Sequence, residues 1–229
     1  IARLFVAEGA KVLIADLDAD KAQQVAASLG AQARSVRCDV SKRADIDAAL
    51  KACVDAFGAP DIVVNNAGTT HRNQSMLDVD EATFDRVFAV NVKSIYHMTQ
   101  AVVPLMKARK SGCIVNIGST AGIRPRPGLS WYNASKGAVN VLSKSMAAEL
   151  GPDGIRVNAV CPVMGATGLI EQFLGTADTP EARAKIVAGI PLGRMSTPED
   201  VAEAALYLAS DAGRFITGIE LPVDGGRTI

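Results

Sequence analysis

A mostly apolar run ends on a hydroxyl side chain in Cys113-Ile114-Val115-Asn116-Ile117-Gly118-Ser119. A strand that is apolar on both faces is typical of a parallel sheet that helices cover on both sides. The run therefore predicts a buried strand with Ser119 at its carboxyl end. Open α/β sheets bind their ligands at that end of the strands, so Ser119 is a candidate site residue.

The same alternation of short apolar runs and longer helical ones continues outward in both directions. Further strands are predicted at residues 11–15, 33–38, 61–65, 155–160 and 219–223. Helices are predicted at residues 18–29, at 41–57 with Ser41 as cap, from a capping box of Asp78 and Glu81 to about residue 108, from Tyr132 to about residue 150, and from Thr197 onward. This order indicates an α/β fold on a parallel sheet, in one domain spanning residues 1–229. The segment 164–192 is a candidate lid or substrate loop.

Composition and charge exclude several classes of function. Lysine plus arginine number 24, as do aspartate plus glutamate, so no net charge attracts nucleic acid or an anionic membrane. Aromatic residues make up only 4% of the chain, which leaves few surfaces on which bases can stack. No apolar run reaches the ~18 residues that a membrane-spanning helix needs.

The cysteines and histidines predict neither a metal site nor a redox dithiol. They are scattered, without a C-x-x-C pair, at Cys38, Cys53, Cys113, Cys161, His71 and His97. We expect reduced, mostly buried thiols in a cytoplasmic protein.

Tyr132 and Lys136 are the strongest candidates for catalysis. Residues four apart share one face of a helix, so the phenol and the ammonium can project into one cleft. A phenol has an ordinary pKa near ~10, and a nearby cation lowers that value. A phenol tuned in this way, beside the Ser119 hydroxyl, suits hydride transfer to or from a carbonyl or an alcohol.

Five motifs follow one another along nearly the whole chain: Asn65-Asn66-Ala67-Gly68, Asn91-Val92-Lys93-Ser94, the trio Ser119, Tyr132 and Lys136, Cys161-Pro162-Val163-Met164-Gly165-Ala166-Thr167, and Asp224-Gly225-Gly226. In this order they resemble the motifs of the short-chain dehydrogenase/reductase family. The resemblance implies a Rossmann-like, doubly wound parallel sheet. It also implies a homotetramer assembled through the helices at 78–108 and 132–150.

The resemblance assigns a role to each member of the catalytic set. Tyr132 would be the general acid/base, and Lys136 would lower the pKa of the phenol and bind the nicotinamide ribose. Ser119 would hydrogen-bond the substrate oxygen, while Asn91 would distort its helix and hold a water in a proton relay. By the same resemblance, further cofactor contacts are expected at Asp39, Val40, Asn65, Ala67, Gly68, Tyr132, Lys136, Pro162 and Thr167.

Asp16, at the end of the first predicted strand, favours NAD over NADP. An acidic side chain at this point accepts hydrogen bonds from the adenosine ribose hydroxyls. A 2′-phosphate would meet a like charge there, and no lysine or arginine stands immediately beside it in Ala15-Asp16-Leu17-Asp18. Asp16 is also a candidate helix cap, although Asp18 is better placed for that role.

The chain departs from the family pattern in two places. It begins at Ile1-Ala2-Arg3-Leu4-Phe5-Val6-Ala7-Glu8-Gly9, which resembles the helix after the family's first strand and glycine-rich turn. Three explanations are open: further residues precede Ile1 in the protein, the chain has been truncated, or the natural chain lacks this segment and is inactive. The first is favoured, because loss of a central strand would expose the edges of its neighbours. Val163 stands where the family commonly has glycine, so the loop toward Thr167 is expected to take a different path, with Gly165 as its flexible point.

These observations leave three functional hypotheses. The first is an NAD(H)-dependent oxidoreductase that interconverts an alcohol and its ketone or aldehyde, and the second is a 3-oxoacyl-thioester (acyl-carrier-protein) reductase. The third is a catalytically inactive binding protein on the same scaffold. Arg124 and Arg126 either hold an anionic group of a substrate or are exposed arginines beside Pro125 and Pro127.

Overall fold

The strands of the protein all pair in parallel. Its computed structural model describes residues 1–165 and 168–229. The strands are β1 (Val12–Asp16), β2 (Ala33–Arg37), β3 (Ile62–Asn65), β4 (Gly112–Ile117), β5 (Ile155–Pro162) and β6 (Glu220–Val223). They form two sheets in the described residues, β1-β2 and β3-β4-β5-β6. The predicted α/β class and parallel pairing are confirmed, although the described strands do not join into one continuous sheet.

Helices follow nearly every strand and confirm the predicted alternation. They are α1 (Ala2–Ala7), α2 (Ala19–Leu29), α3 (Arg43–Phe57), α4 (Glu81–Phe88), α5 (Ser94–Arg109), α6 (Ser130–Leu150), α7 (Ile170–Leu174), α8 (Pro180–Val187) and α9 (Pro198–Ala209). Asp18 and Thr197 cap α2 and α9 with their side chains, as predicted. In the described part of the chain, every helix is too short or too polar to cross a lipid bilayer.

Two predicted helix caps were wrong. Ser41 does not cap α3, because its hydroxyl donates to Asp39 at 2.6 Å and the cap position belongs to Lys42. Asp78 lies in a separate turn, Met76–Asp78, and Asp80 caps α4 by accepting a hydrogen bond from the Thr83 backbone at 2.7 Å. Both errors have one cause: the sequence offers several acidic or hydroxyl side chains near each helix start, and the backbone path decides which one faces the free N–H groups.

The predicted long helix from 78 to 108 is also divided. A wider π-helical turn, Ala89–Lys93, separates α4 from α5. Such turns insert an extra residue into the helical ladder and are frequent at functional sites. This one contains Asn91, the residue that was expected to distort its helix.

The sheet buries apolar side chains on both faces, as expected of a sheet covered on both sides. Ile114 packs with the cluster that includes α3, α5 and α6, whereas its neighbour Val115 packs with the cluster on α1 and α9. Successive residues of a strand point to opposite faces. The carboxyl ends of β3, β4 and β5 therefore meet at one edge between two helical layers, and the candidate site residues follow these ends.

Candidate active site

A cleft of about 1340 Å³ lies at this carboxyl edge. It brings together most of the residues predicted from the sequence: Asp16, Ala67, Gly68, Ser119, Tyr132, Lys136 and Pro162. Asp39, Val40, Asn65 and Asn91 are not among its lining residues, and Thr167 lies outside the described residues. Helices α7 and α8, from the predicted lid segment, contribute the outer wall.

Tyr132 is buried in this cleft, with its ring against the lid. The centre of the ring lies 5.1 Å from that of Phe173 on α7, in an edge-to-face arrangement. Burial raises the pKa of the phenol, while a hydrogen bond with Ser119 and the charge of Arg126 act in the opposite direction. Arg126 is the cation whose charge acts on the phenol here, and the lowering of this pKa by Lys136 stays a prediction.

Lys136 is buried in the floor of the cleft, with 5% of its surface exposed. Its ammonium donates to the backbone carbonyl of Ile117 at 2.8 Å, at the end of β4. Burial lowers its pKa to about 8, because a charged ammonium loses its hydration in the interior. A side chain at Gly68 would begin 3.5 Å from the Lys136 Nζ and cover it. Glycine at this position keeps the ammonium open to the cleft.

Ser119 is held in place by its backbone surroundings. Its hydroxyl accepts a hydrogen bond from the backbone N–H of Ala121 at 3.0 Å, which caps the short turn Thr120–Gly122. Its carbonyl accepts from Asn140 Nδ2 at 3.4 Å. Asn140 lies four residues after Lys136 on α6, so one helix face carries Tyr132, Lys136 and this support. The sequence analysis missed Asn140, although its spacing of four residues from Lys136 was a signal that could have identified it.

Asn91 acts on the loop after β3 rather than on the cleft itself. Its amide oxygen accepts from the Thr69 backbone N–H at 2.8 Å, and its amide nitrogen donates to the Thr69 carbonyl and the Ser135 hydroxyl, each at 2.9 Å. The helix distortion is confirmed by the π-helical turn. All polar atoms of the side chain are engaged in joining α6 to the loop that carries Gly68. The water relay stays a prediction.

The residues near the cleft suit a dinucleotide. Asp16 is exposed at the end of β1 and lines the same cleft as Lys136. Its carboxylate accepts one bond, from the Asp18 backbone at 2.9 Å, which leaves acceptor positions for ribose hydroxyls. Arg37 is its register partner on β2, a cation that the local sequence did not reveal. Arg37 faces Asp45 at 3.5 Å.

Two of the remaining predicted contacts use their side chains elsewhere. Asp39 accepts from the backbone and the hydroxyl of Ser41, and its carboxylate lies 3.6 Å from Lys42. Asn65 donates to the side chain of Asn116 at 2.8 Å, between β3 and β4. These contacts fix the turns that carry the neighbouring cleft residues.

Comparisons with known proteins agree with this geometry. A family model described as Enoyl-(Acyl carrier protein) reductase matches residues 1–228. The 4-formylbenzenesulfonate dehydrogenase of Comamonas testosteroni is 48% identical, with 100% of this chain and 92% of that protein covered. The 2-(S)-hydroxypropyl-CoM dehydrogenase 3 of Xanthobacter autotrophicus is 43% identical, with 100% and 91% covered. A crystal structure described as 3-ketoacyl-(acyl-carrier-protein) reductase from Brucella melitensis complexed with NADH is similar at a TM-score of 0.94 and 44% identity, covering 100% of this chain and 92% of that one.

Proposed function

The chain belongs to the short-chain dehydrogenase/reductase family, and from this we propose that it is an NAD(H)-dependent oxidoreductase that interconverts an alcohol and its ketone or aldehyde. One observation carries the proposal: Ser119, Tyr132 and Lys136 line a single cleft together with Asp16. A proton donor, a hydroxyl donor and a cation thus share the cleft with a carboxylate suited to ribose. That set supports catalysis over the alternative of an inactive binding protein.

The side chains of this site handle the proton of the reaction. A bound nicotinamide cofactor supplies the hydride donor or acceptor. Tyr132, whose pKa burial raises, is protonated at neutral pH and donates its proton to the carbonyl oxygen during reduction. Ser119 donates a hydrogen bond to the same oxygen. In the oxidation direction Tyr132 accepts the proton, and the charges of Lys136 and Arg126 stabilise its phenolate.

We assign the cofactor contacts by their position around the cleft. Asp16 would bind the adenosine ribose, the backbone at Ala67 and Gly68 would face the cofactor, and Lys136 would bind the nicotinamide ribose. Pro162 borders the nicotinamide end. Asp39, Val40, Asn65 and Thr167 stay predictions from the family resemblance. The carboxylate of Asp16 opposes a 2′-phosphate, and Arg37 is engaged by Asp45, so NAD is proposed over NADP.

A 3-oxoacyl-thioester reductase is the second candidate. It is supported by the similarity, at 44% identity, to a structure described as a 3-ketoacyl-(acyl-carrier-protein) reductase complexed with NADH. That structure is described as a ketoacyl reductase bound to NADH, which is the cofactor that Asp16 favours. Reduction of an acetoacetyl thioester at a rate above that of simple aldehydes would favour this candidate.

We also propose a cytoplasmic location and a homotetramer. All four cysteines are free, and Cys38, Cys113 and Cys161 are buried. Burial raises the pKa of the Cys113 thiol. Unreactive thiols of this kind are typical of a reducing compartment. The tetramer would form through α4, α5 and α6.

Binding titrations of the full-length protein with NADH and with NADPH test the cofactor assignment. NADH oxidation in the presence of a panel of aldehydes and ketones tests the activity. We expect NADH to bind at least about tenfold more tightly, and Asp16→Ser to remove most of that preference, since each tenfold in affinity corresponds to about 1.4 kcal/mol. Asp20→Asn, the same loss of charge on the exposed side of α2, serves as control. Equal affinities in the wild type would refute the NAD assignment. If no carbonyl compound in the panel supports NADH oxidation, the proposed oxidoreductase activity is refuted.

A further inference from the structure

Arg126 is a partly buried cation at the substrate side of the cleft. One of its guanidinium nitrogens donates to the backbone carbonyl of Phe173 at 3.1 Å, and the guanidinium carbon lies 5.9 Å from the centre of the Phe173 ring. A guanidinium has five N–H donors. In residues 1–165 and 168–229, the Phe173 carbonyl is the only acceptor that Arg126 contacts. Its other donors have no acceptor among the described residues, and Arg126 lines the cleft.

A second arginine, Arg227, lines the same cleft from the segment after β6. The two guanidinium groups are close enough for the charge of Arg227 to oppose that of Arg126, although burial is the larger cause of the lowered Arg126 pKa. Among the described residues, neither side chain forms an ion pair with a carboxylate. Two like charges that share a partly dehydrated site without a counterion favour an anionic ligand.

The cleft is asymmetric in charge. Its described acidic lining residues are Asp16, at the end of β1, and Glu181, on α8. The cationic ones are Arg124, Arg126, Lys136, Lys185 and Arg227. Arg126 follows β4 and Arg227 follows β6, whereas Asp16 ends β1 in the other sheet. The two arginines therefore reach the cleft from other strands than the residue that would receive the cofactor's adenosine ribose.

Arg126 lies close to the reacting phenol and to the aromatic ring that contacts it. The centre of the Phe173 ring lies 5.9 Å from the Arg126 guanidinium carbon and 5.1 Å from the centre of the Tyr132 ring. The charge of Arg126 also acts to lower the pKa of Tyr132. A ligand whose carbonyl meets Tyr132 can therefore present an anionic group to Arg126 within the same cleft.

We propose that Arg126, assisted by Arg227, binds an anionic group of the substrate, so that the enzyme acts on alcohols and aldehydes that carry a sulfonate or carboxylate. The proposal rests on the proposed function for the identity of the reaction. The anion site itself does not depend on turnover. Planar guanidinium groups bind such oxyanions through paired hydrogen bonds.

A binding experiment tests the anion site without any reaction. Calorimetric titration of the full-length protein, saturated with NAD, compares 4-methylbenzenesulfonate with its neutral counterpart methyl 4-tolyl sulfone. We expect the sulfonate to bind about 10- to 100-fold more tightly, the range for a hydrogen bond to a charged group. Arg126→Gln should remove that difference and Arg126→Lys should restore part of it. Arg43→Gln, an equal loss of charge on the exposed face of α3, should leave it unchanged.

Kinetics then separate the substrate class from the reaction. The kcat/KM for NADH-dependent reduction is compared for 4-formylbenzenesulfonate, 4-formylbenzoate and the neutral 4-(methylsulfonyl)benzaldehyde. The wild type should prefer one or both anions by about 10- to 100-fold, and Arg126→Gln should lose this preference. The preference is the ratio of anionic to neutral aldehyde within each variant, so a change in overall rate caused by the contact of Arg126 with the phenol cancels. The ratio of the two anions distinguishes sulfonate from carboxylate.

Two outcomes would overturn the proposal. One is equal binding of the sulfonate and the sulfone by the wild type, and the other is an anion preference that persists in both Arg126→Gln and Arg227→Gln. Selective, Arg126-dependent sulfonate binding without reduction of any aldehyde would uphold the anion site and refute the proposed reaction instead.

Discussion

At the scale of single residues, burial rather than a neighbouring charge dominates the catalytic pair. It raises the pKa of Tyr132 and lowers that of Lys136 to about 8. The Tyr132–Lys136 spacing predicted a shared cleft correctly. It could not predict the depth of burial or the part played by Arg126, because both depend on a loop and a lid that pack against α6 from distant parts of the chain.

The buried Lys136 makes the stability of the protein depend on pH. Its pKa is 10.5 ordinarily and about 8 in the folded chain, so the unfolded chain binds this proton more tightly. The free energy of unfolding should therefore rise as the pH increases between those two values. Relative to Lys136→Met, the wild type should gain about 2 kcal/mol between about pH 7.5 and pH 10.

Urea denaturation of both proteins across this pH range measures the difference in their free energies of unfolding. Groups that titrate in the same way in both proteins do not contribute to this difference. A constant difference between wild type and Lys136→Met would show that the ammonium is not buried as described.

At the scale of elements, the apolar runs predicted the strands well because burial on both faces leaves a plain sequence pattern. The predicted start of α4 was wrong. The sequence predicted one continuous helix where a π-helical turn separates α4 from α5. The local sequence does not specify that turn. It is held by the hydrogen bonds of Asn91 with Thr69 and Ser135, which lie 22 and 44 residues away along the chain.

Gly122 sets the approach of the Ser119 turn to α6. A Cβ at Gly122 would lie 2.7 Å from the Gly137 nitrogen and 2.7 Å from the Lys136 carbonyl carbon, whereas a Cβ at Gly137 would meet nothing closer than 3.9 Å. We expect Gly122→Ala to destabilise the protein by about 1–3 kcal/mol, as overpacking does. It should also lower activity, because Lys136 must shift.

Gly137→Ala is the matched control, since alanine favours a helix over glycine by up to about 1 kcal/mol. Thermal and urea unfolding of the two variants measure the contrast. Equal effects of both substitutions would contradict the close contact between the turn and α6.

At the scale of the whole molecule, the order of strands and helices predicted where the site residues would meet. The segment 164–192 was predicted as a candidate lid, but the position of α7 against Tyr132 was not predictable, because long-range contacts hold this helix. Arg72 donates to the Gly175 carbonyl at 2.8 and 3.2 Å, and the Asn73 backbone donates to the Gln172 carbonyl at 2.8 Å. These contacts tie α7 to the loop after β3 and place Phe173 over Tyr132.

In the proposed tetramer, the helices α4, α5 and α6 form the contacts between chains. Val141 on α6 is 61% exposed and Tyr96 on α5 is 57% exposed, so both side chains are available to an interface between chains. Light scattering should give about four times the chain mass of 23.8 kDa, and Val141→Lys should reduce it.

Val54→Lys, on α3 and 41% exposed, should leave the mass unchanged. A wild type that stays monomeric at micromolar concentration would contradict the proposed assembly.

The most direct test of the account is the kcat/KM of Tyr132→Phe for carbonyl reduction with NADH, measured beside its cofactor affinity. Loss of a general acid costs about 10²- to 10⁴-fold in rate, and the phenyl ring keeps the contact with Phe173. We predict a fall of that size with NADH affinity preserved, and no change in Tyr207→Phe, an exposed tyrosine on α9. Activity of Tyr132→Phe within about threefold of the wild type would contradict the assignment of Tyr132 as the proton donor.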